Sequence, residues 1–147
     1  MDFEQLAFIE KWRRRAVRGA VVALDATRGD VLLTLRVGDL GETVDLRARD
    51  ETGAVRKQRA TLGDRMFVAF RYGVIEVKAA TGAPTSRTVA RGAELEGTLR
   101  AAGDLHEVDL GGASILVEGE ELAAFPDEAA VRFRIADDGH AYVIPTR

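Results

Sequence analysis

The residues best suited to chemistry are the arginines in the first half of the chain. Five cations surround one tryptophan between residues 11 and 18, and three more arginines are predicted to point outward from the second and third strands. Guanidinium groups contact phosphates, and an exposed aromatic ring can stack on a base. The pattern predicts a surface for single-stranded nucleic acid formed by Lys11, Trp12, Arg13, Arg14, Arg15, Arg18, Arg36, Arg47 and Arg49.

Residues that could serve in catalysis are scarce. The chain has no cysteine and two histidines, His106 and His140, which are far apart in the sequence. Two histidines without cysteine do not complete an ordinary zinc site, so no metal is predicted. The two serines, Ser86 and Ser114, lie outside any G-x-S-x-G motif. We expect His106 to be a structural residue within a strand and His140 to be exposed after a turn. The sequence predicts no enzyme activity and no cofactor.

Composition is that of a folded globular protein with an uneven distribution of charge. Of its 147 residues, 46% are hydrophobic and 31% are charged, which argues against disorder. No apolar segment reaches the roughly 18 residues needed to cross a bilayer, and the amino-terminal order of charges is wrong for a secretory signal. A cytoplasmic location, with no membrane partner, is therefore predicted. Residues 1–78 carry a formal charge of +3 and residues 79–147 carry -6, a division that favours a charged partner or head-to-tail self-association.

The elements that position these residues begin with a helix. Residues 2–15 have an apolar face at helical spacing, with Asp2 placed to cap the first turn and arginines in the last turn. The apolar face is broader than a surface helix requires, and includes Phe3, Leu6 and Trp12. We expect the helix, residues 1–15, to pack onto the protein's own barrel or onto a second subunit.

From residue 16 the hydrophobic period changes to two, which is typical of strands. The segments VLLTLRVG and RMFVAFRYG alternate apolar and polar residues, and residues 80–87 have the composition of a linker. Similar runs recur in the second half and end in a predicted hairpin at Asp138-Gly139. The sequence predicts a mostly β protein with an internal repeat: two tandem small β-barrels at 16–79 and 88–147, joined by a linker at 80–87. The same local pattern also fits one merged barrel.

The arrangement resembles the TOBE domains, small OB-like barrels found in ABC-importer ATPases and in oxyanion-binding proteins. Gly19-Ala20-Val21 is similar to the family's opening strand, LGDRMFV (residues 62–68) to its Gly-Asp step into the fourth strand, and residues 125–144 to its last strands. The chain has no phosphate-binding GxxxxGK[ST] loop. Oxyanion-binding members carry a Ser-Ala-Arg-Asn segment, to which Thr85-Ser86-Arg87 has a partial similarity. The resemblance implies a small-anion or sugar-linked site at Thr85, Ser86 and Arg87.

Three functions follow from these observations. The first is a non-catalytic binding or protein-interaction module built on OB-like barrels, with a protein partner or self-association. The second is a single-stranded nucleic-acid-binding protein that uses the basic first half. The third is a TOBE-like sensor of a small anion or sugar.

Overall fold

The computed structural model describes residues 3–27, 29–39, 42–57 and 59–144. Strands make up most of these residues, as the alternating apolar pattern predicts. The helices are α1 (Phe3–Trp12), α2 (Ala54–Lys57) and 3-10 turns at Arg13–Arg15 and Glu120–Ala124. The strands are β1 (Val17–Thr27), β2 (Asp30–Asp39), β3 (Glu42–Asp50), β4 (Arg65–Ala79), β5 (Thr88–Val89), β6 (Glu94–Ala102), β7 (Leu105–Asp109), β8 (Ser114–Glu118), β9 (Ala130–Ile135) and β10 (His140–Ile144).

Helix α1 leads into the strands through the tighter 3-10 turn. The chain leaves this turn at Ala16, whose N–H donates to the Arg13 carbonyl at 3.3 Å. The predicted cap, Asp2, lies outside the described residues. On α1 itself, Phe3 is 84% exposed and Leu6 is 46% exposed, so both apolar side chains face solvent along this helix. The predicted packing of the helix onto the protein's own barrel does not extend to these two residues.

The period-two pattern correctly predicts the core. In β2, Val31, Leu33, Leu35 and Val37 are all buried, and in β4 the same is true of Met66, Val68, Phe70 and Tyr72. Strands place alternate side chains on one face, so these residues meet inside the molecule. The pattern fails at two polar positions, since alternation assigns Thr34 and Arg132 to the outer face and each is 7% exposed.

Five strands pair into a closed set that we call the first ring. β1 pairs with β2, β2 with β3, β3 with β10, β10 with β4, and β4 with β1. All of these contacts are antiparallel except the short parallel contact between β3 and β10. Because the pairing returns to its starting strand, the sheet has no long open edge here.

A second closed set, the second ring, follows the same logic. β4 pairs with β8, β8 with β7, β7 with β6, β6 with β9, and β9 again with β4. Strand β4 therefore belongs to both rings. Its residues 65–71 pair with β1 and β10, and its residues 71–79 pair with β8 and β9.

The predicted hairpin at Asp138-Gly139 is wrong. β9 and β10 both pair with β4, one after the other along its length, and the described residues give no pairing between them. The reason is the carboxylate of Asp137, which accepts hydrogen bonds from the N–H groups of Gly73 and Gly139 and so directs the turn along β4. Strand β10 consequently completes the first ring, although its position in the sequence assigns it to the second predicted barrel. The domain limits at residues 79 and 88 remain a prediction.

Residues 80–87, which we call the strap, run between the two rings without regular secondary structure. The strap is fixed at both ends, because Ala80 N–H donates to the Ala130 carbonyl at 3.0 Å and Ser86 N–H donates to the Glu94 carbonyl at 3.1 Å. The predicted linker is thus an ordered segment. Within the described part of the chain, no helix is long and apolar enough to cross a membrane.

Candidate functional site

A cleft of about 440 Å³ opens where the strap passes between the two rings. Its walls come from four segments: the start of β3, the strap, the start of β6, and the turn between β7 and β8. The residues that line it are Glu42, Val44, Pro84, Thr85, Ser86, Arg87, Leu95, Glu96, Leu110, Gly111 and Gly112. This volume lies within the range of small-molecule sites in proteins.

The strap is held against the second ring by Arg132 of β9. This guanidinium donates to the carbonyl oxygens of Ala83 and Pro84, both at 3.2 Å, and forms ion pairs with Glu94 at 2.7 Å and Glu96 at 2.9 Å. Four acceptors surround the group, which explains why an arginine that the alternation places on the outer face is buried. The side chain that sequence patterning assigns to solvent therefore holds the strap in place without lining the cleft.

Glu96 connects the strap to the floor of the cleft. Its carboxylate accepts the backbone N–H groups of Thr81 at 2.7 Å and Gly82 at 3.1 Å, in addition to the guanidinium of Arg132. The hydrogen bond from Thr81, followed by those from Arg132 and Gly82, lowers the pKa of Glu96 to about 2. The pKa of Glu94 is also lowered, mainly by its hydrogen bond from Arg132. Both carboxylates are therefore charged at neutral pH.

The opposite wall is a tight turn at Leu110–Gly112. Leu110 N–H donates to the Ala113 carbonyl, and Gly111 N–H donates to the side chain of Asp109, each at 2.8 Å. Gly111 has a φ of 99°, a conformation that favours glycine. A Cβ atom on Gly112 would lie 3.5 Å from the Glu42 carbonyl oxygen, an ordinary contact distance. The turn thus approaches the start of β3 and leaves room for a side chain at 112.

The structure places all three predicted ligand residues on the strap wall. The Ser86 hydroxyl donates to the Thr88 carbonyl at 2.8 Å and accepts the Thr88 N–H at 3.1 Å, so it stabilises the strap. The Arg87 carbonyl accepts the Asp45 N–H at 3.0 Å and joins the strap to β3. Among the described residues, neither the Thr85 hydroxyl nor the Arg87 guanidinium has a hydrogen-bond or ion-pair partner. These two groups can bind a ligand.

Charges of both signs face the cleft. Arg87 is an exposed cation on the strap, and Glu42 is an exposed anion at the start of β3. Two apolar side chains also line the cleft, the partly exposed Val44 and Leu95, which is 3% exposed. The site therefore combines one positive group, one negative group, a hydroxyl and an apolar floor.

The predicted nucleic-acid residues near α1 are only partly described. The side chains of Lys11, Trp12 and Arg14 lie outside the described part of the structure. Arg13 forms an ion pair with Glu10 at 3.0 Å, and Arg15 forms one with Glu107 at 3.0 Å. The Arg18 guanidinium lies 5.9 Å from the centre of the Phe67 ring, in cation–π geometry.

The predicted nucleic-acid residues on the strands are each paired with aspartate. Arg36 binds Asp45 through two hydrogen bonds of 2.8 and 3.0 Å. The remaining ion pairs are Arg47–Asp25 at 3.2 Å, Arg49–Asp30 at 3.6 Å and Arg49–Asp138 at 3.6 Å. The arginines that the sequence groups into a basic surface are thus largely neutralised by aspartates from other strands and from the turn before β10.

The two histidines lie in different surroundings. His106 lies in β7, opposite Ala101 and Val117, as expected of a strand residue. His140 was expected to be exposed, but it is half-buried, and its Nδ1 lies 2.7 Å from a Glu51 carboxylate oxygen. Among the described residues, no three histidine or acidic side chains come together as a metal site would require.

Sequence reasoning missed the parts of the cleft that come from outside the strap. Glu42, Val44 and Leu95 appear in the sequence as ordinary strand residues, and Gly111-Gly112 appears as a turn. A signal for the turn existed, since two adjacent glycines allow the chain to approach another backbone closely. No local signal indicates which strand it approaches.

Comparison with known proteins gives one structural likeness. Neither a scan against protein-family models nor a search of curated proteins finds a match. Among solved structures, the chain is similar to the cytoplasmic molybdate-binding protein ModG in a crystal form with molybdate bound, with a TM-score of 0.51 and 18% sequence identity. The similarity covers 90% of this chain and 96% of ModG. The chain therefore shares its β-rich fold, at a distance, with ModG. This likeness fits an OB-like or TOBE-like fold.

Proposed function

We propose that this protein is a non-catalytic binding module that takes a small ligand in the cleft between its two strand rings, each ring being an OB-like or TOBE-like barrel. One observation carries the proposal: a cleft of about 440 Å³ whose strap wall is fixed by Arg132 and presents unpartnered groups of Thr85 and Arg87. Fixed walls with a few convergent polar groups are typical of small-molecule sites. The Ser86 hydroxyl also supports a non-catalytic role, since it is bonded to the Thr88 backbone within the same segment.

The test is a thermal-shift screen that compares the full wild-type chain with a variant in which a larger side chain fills the cleft. Probes are sugars, amino acids, nucleotides, sulfate and molybdate. A ligand at one hundred times its Kd stabilises the folded state by about 2.7 kcal/mol, which raises the Tm by several degrees. Gly112→Leu places a side chain in the cleft where a Cβ makes only ordinary contacts, so it should abolish the shift. Ala124→Leu, at an exposed position after β8, is the matched control.

Two outcomes would count against the cleft. One is a Tm that no probe changes. The other is a ligand that stabilises the wild-type chain and Gly112→Leu equally, because such a ligand would bind elsewhere.

A small oxyanion is the second candidate ligand. Arg87 supplies a cation and Thr85 a hydroxyl, and the chain shares its fold with a protein that binds molybdate. On this reading, molybdate or sulfate raises the Tm and Arg87→Gln removes the effect. A sugar with the same dependence on Gly112 would instead favour the sugar-linked alternative.

Nucleic-acid binding receives less support from the geometry. Of the described arginines in the predicted surface, Arg18 contacts an aromatic ring and the others are ion-paired. The described cations of the basic first half that have no ion-pair partner include Arg56, Lys57, Arg59 and Arg65, which lie outside the predicted residue set. If a labelled oligonucleotide bound at low salt and its affinity fell steeply as salt rose, nucleic-acid binding would be supported.

A protein partner or self-association is supported by α1. Phe3 and Leu6 are exposed on this helix, and exposed apolar side chains on one element are typical of a contact surface. Analytical ultracentrifugation of the wild-type chain and of Phe3→Ser tests this proposal. A monomeric wild-type chain would contradict self-association.

A further inference from the structure

We infer that the ligand of the cleft is a small zwitterion of the amino-acid type with an apolar side chain, an inference that rests on the proposed function. The cleft offers opposite charges on two of its lining segments, Arg87 on the strap and Glu42 on β3, together with the apolar side chains of Val44 and Leu95. A carboxylate would bind the guanidinium, an ammonium group would bind Glu42, and the side chain would lie on the apolar floor.

The strand register places the two charges within reach of one small molecule. β3 and β5 are parallel, with Asp45 opposite Thr88 and Leu46 opposite Val89. The Asp45 N–H donates to the Arg87 carbonyl at 3.0 Å, so Arg87 lies beside this part of β3. Glu42 lies three residues before Asp45, which corresponds to about 10 Å along an extended strand. Arginine and glutamate side chains are long enough to converge from that separation on the carboxylate and ammonium groups of one α-amino acid.

Both charged groups are available in the described structure. Arg87 and Glu42 are exposed, and neither side chain has a hydrogen-bond or ion-pair partner among the described residues. Glu96, the other carboxylate of the lining, is different, because Arg132 and two backbone N–H groups already compensate its charge. The ligand therefore meets one uncompensated positive group and one uncompensated negative group.

The same charges disfavour a compact inorganic anion. An oxyanion in this cleft would gain Arg87 but would be repelled by the uncompensated charge of Glu42, and it would leave the apolar side chains uncovered. Oxyanion sites are usually surrounded by donors, as at helix termini and backbone nests. A zwitterion satisfies the cation, the anion and the apolar surface together.

The test follows the amide signals of Gly111 and Gly112 by NMR in the full, isotope-labelled chain. The probes are L-leucine and L-phenylalanine, with N-acetyl-L-leucine, which lacks the ammonium group, and L-leucinamide, which lacks the carboxylate. Glucose and molybdate serve as comparison ligands. Two exposed residues away from the cleft provide matched control variants, Arg56→Gln for Arg87→Gln and Glu120→Gln for Glu42→Gln.

We expect the amino acids to shift both glycine signals, and each cleft variant to weaken L-leucine by about tenfold to a hundredfold, the usual effect of losing one charged hydrogen bond. Glu42→Gln should not weaken the binding of N-acetyl-L-leucine, because that anion has no ammonium group for Glu42, and loss of the repelling carboxylate should strengthen it. Arg87→Gln should likewise not weaken L-leucinamide, a cation that has no carboxylate for Arg87. The control variants should bind L-leucine like the wild type.

The inference is overturned if glucose or molybdate shifts the glycine signals and the amino acids do not, or if N-acetyl-L-leucine binds as tightly as L-leucine. Either result leaves the cleft as a ligand site of another class. Glycine signals that respond to none of the probes would overturn both the inference and the proposed function.

Discussion

Replacing Tyr72 by phenylalanine removes one buried hydroxyl group that joins β4 to β3 and leaves the aromatic ring in place. Tyr72 is fully buried in β4, and its ring stacks on that of Phe70 with centroids 6.3 Å apart. Its hydroxyl donates to the Arg47 carbonyl of β3 at 2.9 Å. Arg47 lies on β3 between the residues that pair with β5 and those that pair with β10. The hydroxyl therefore fills a gap in the hydrogen bonding of this strand edge.

The expected loss follows from that position. A buried hydrogen bond contributes about 1 kcal/mol, and a buried carbonyl left without a partner costs about 1–3 kcal/mol. The free energy of unfolding should thus fall by about 1–3 kcal/mol. For a chain of this size, each kcal/mol lowers the Tm by about 2–4 °C.

The pH dependence gives a second, independent magnitude. Burial, with a smaller contribution from Asp137, raises the pKa of Tyr72 well above its ordinary value of 10.0. Above pH 10 the unfolded chain releases this proton and the folded chain keeps it, so stability falls as pH rises. One proton corresponds to about 1.4 kcal/mol per pH unit. Tyr72→Phe should lack this part of the alkaline loss, whereas the loss due to Tyr142, whose pKa is also raised by burial, should remain.

Urea denaturation at pH 7 and at a series of values above pH 10 measures both effects. An unchanged m-value would show that the denatured state is not altered. The reasoning is refuted if Tyr72→Phe is as stable as the wild type at pH 7, or if the two proteins lose stability in parallel above pH 10.

Three further predictions concern other parts of the molecule. Gly139→Ala should lower the free energy of unfolding, measured by urea denaturation, by about 2–5 kcal/mol. Gly139 has a φ of 77°, and a Cβ atom there would collide with the aromatic ring of Tyr72. Gly82→Ala has a similar φ of 79° but no atom near the new Cβ, so its free energy of unfolding should fall by only about 1 kcal/mol. Equal losses in the two variants would contradict the packing argument. The Glu96 carboxyl carbon should titrate by NMR with a midpoint at about 2. Its stabilisation of the strap is complete above pH 4.5 and is lost as pH falls towards 2; a midpoint near 4.5 would exclude the hydrogen bonds. Leu33→Ala and Leu99→Ala, each in a different ring, should each lower the free energy of unfolding by about 2–5 kcal/mol. Each variant should unfold in urea in a single cooperative transition at a lower midpoint than the wild type, whereas two separate transitions would show that the rings unfold independently.

The fold could be predicted where the pattern is local. Alternation identifies the buried faces of β2 and β4 because each strand buries every second side chain regardless of its partners. The pattern fails at Arg132, which is buried because Glu94 and Glu96 of another strand neutralise it. It also fails at Asp138-Gly139, because a hairpin signal describes the turn and not the strand that the turn leads to. Pairing between distant strands has no local signature.

The candidate site could be predicted only in part for the same reason. Thr85, Ser86 and Arg87 are consecutive in the sequence and resemble part of the Ser-Ala-Arg-Asn segment of oxyanion-binding TOBE proteins. The strap wall could therefore be predicted from the sequence. The facing wall, with Glu42 and Gly112, becomes a wall only when the second ring turns back towards β3. Similarly, the run of arginines predicted a basic surface, whereas the aspartates that pair with Arg47 and Arg49 come from three separate segments.

The pairing of β10 with β3 and β4 has a consequence for synthesis on the ribosome. Chains emerge from the amino terminus at about 5–20 residues per second, so β1 to β4 leave the exit tunnel well before residues 140–144. During that interval β3 and β4 have no neighbour at the position β10 will occupy, and exposed strand edges invite pairing with other chains. A nascent chain released early would therefore be prone to exchange strands with a second copy, and correct folding depends on the late arrival of five residues.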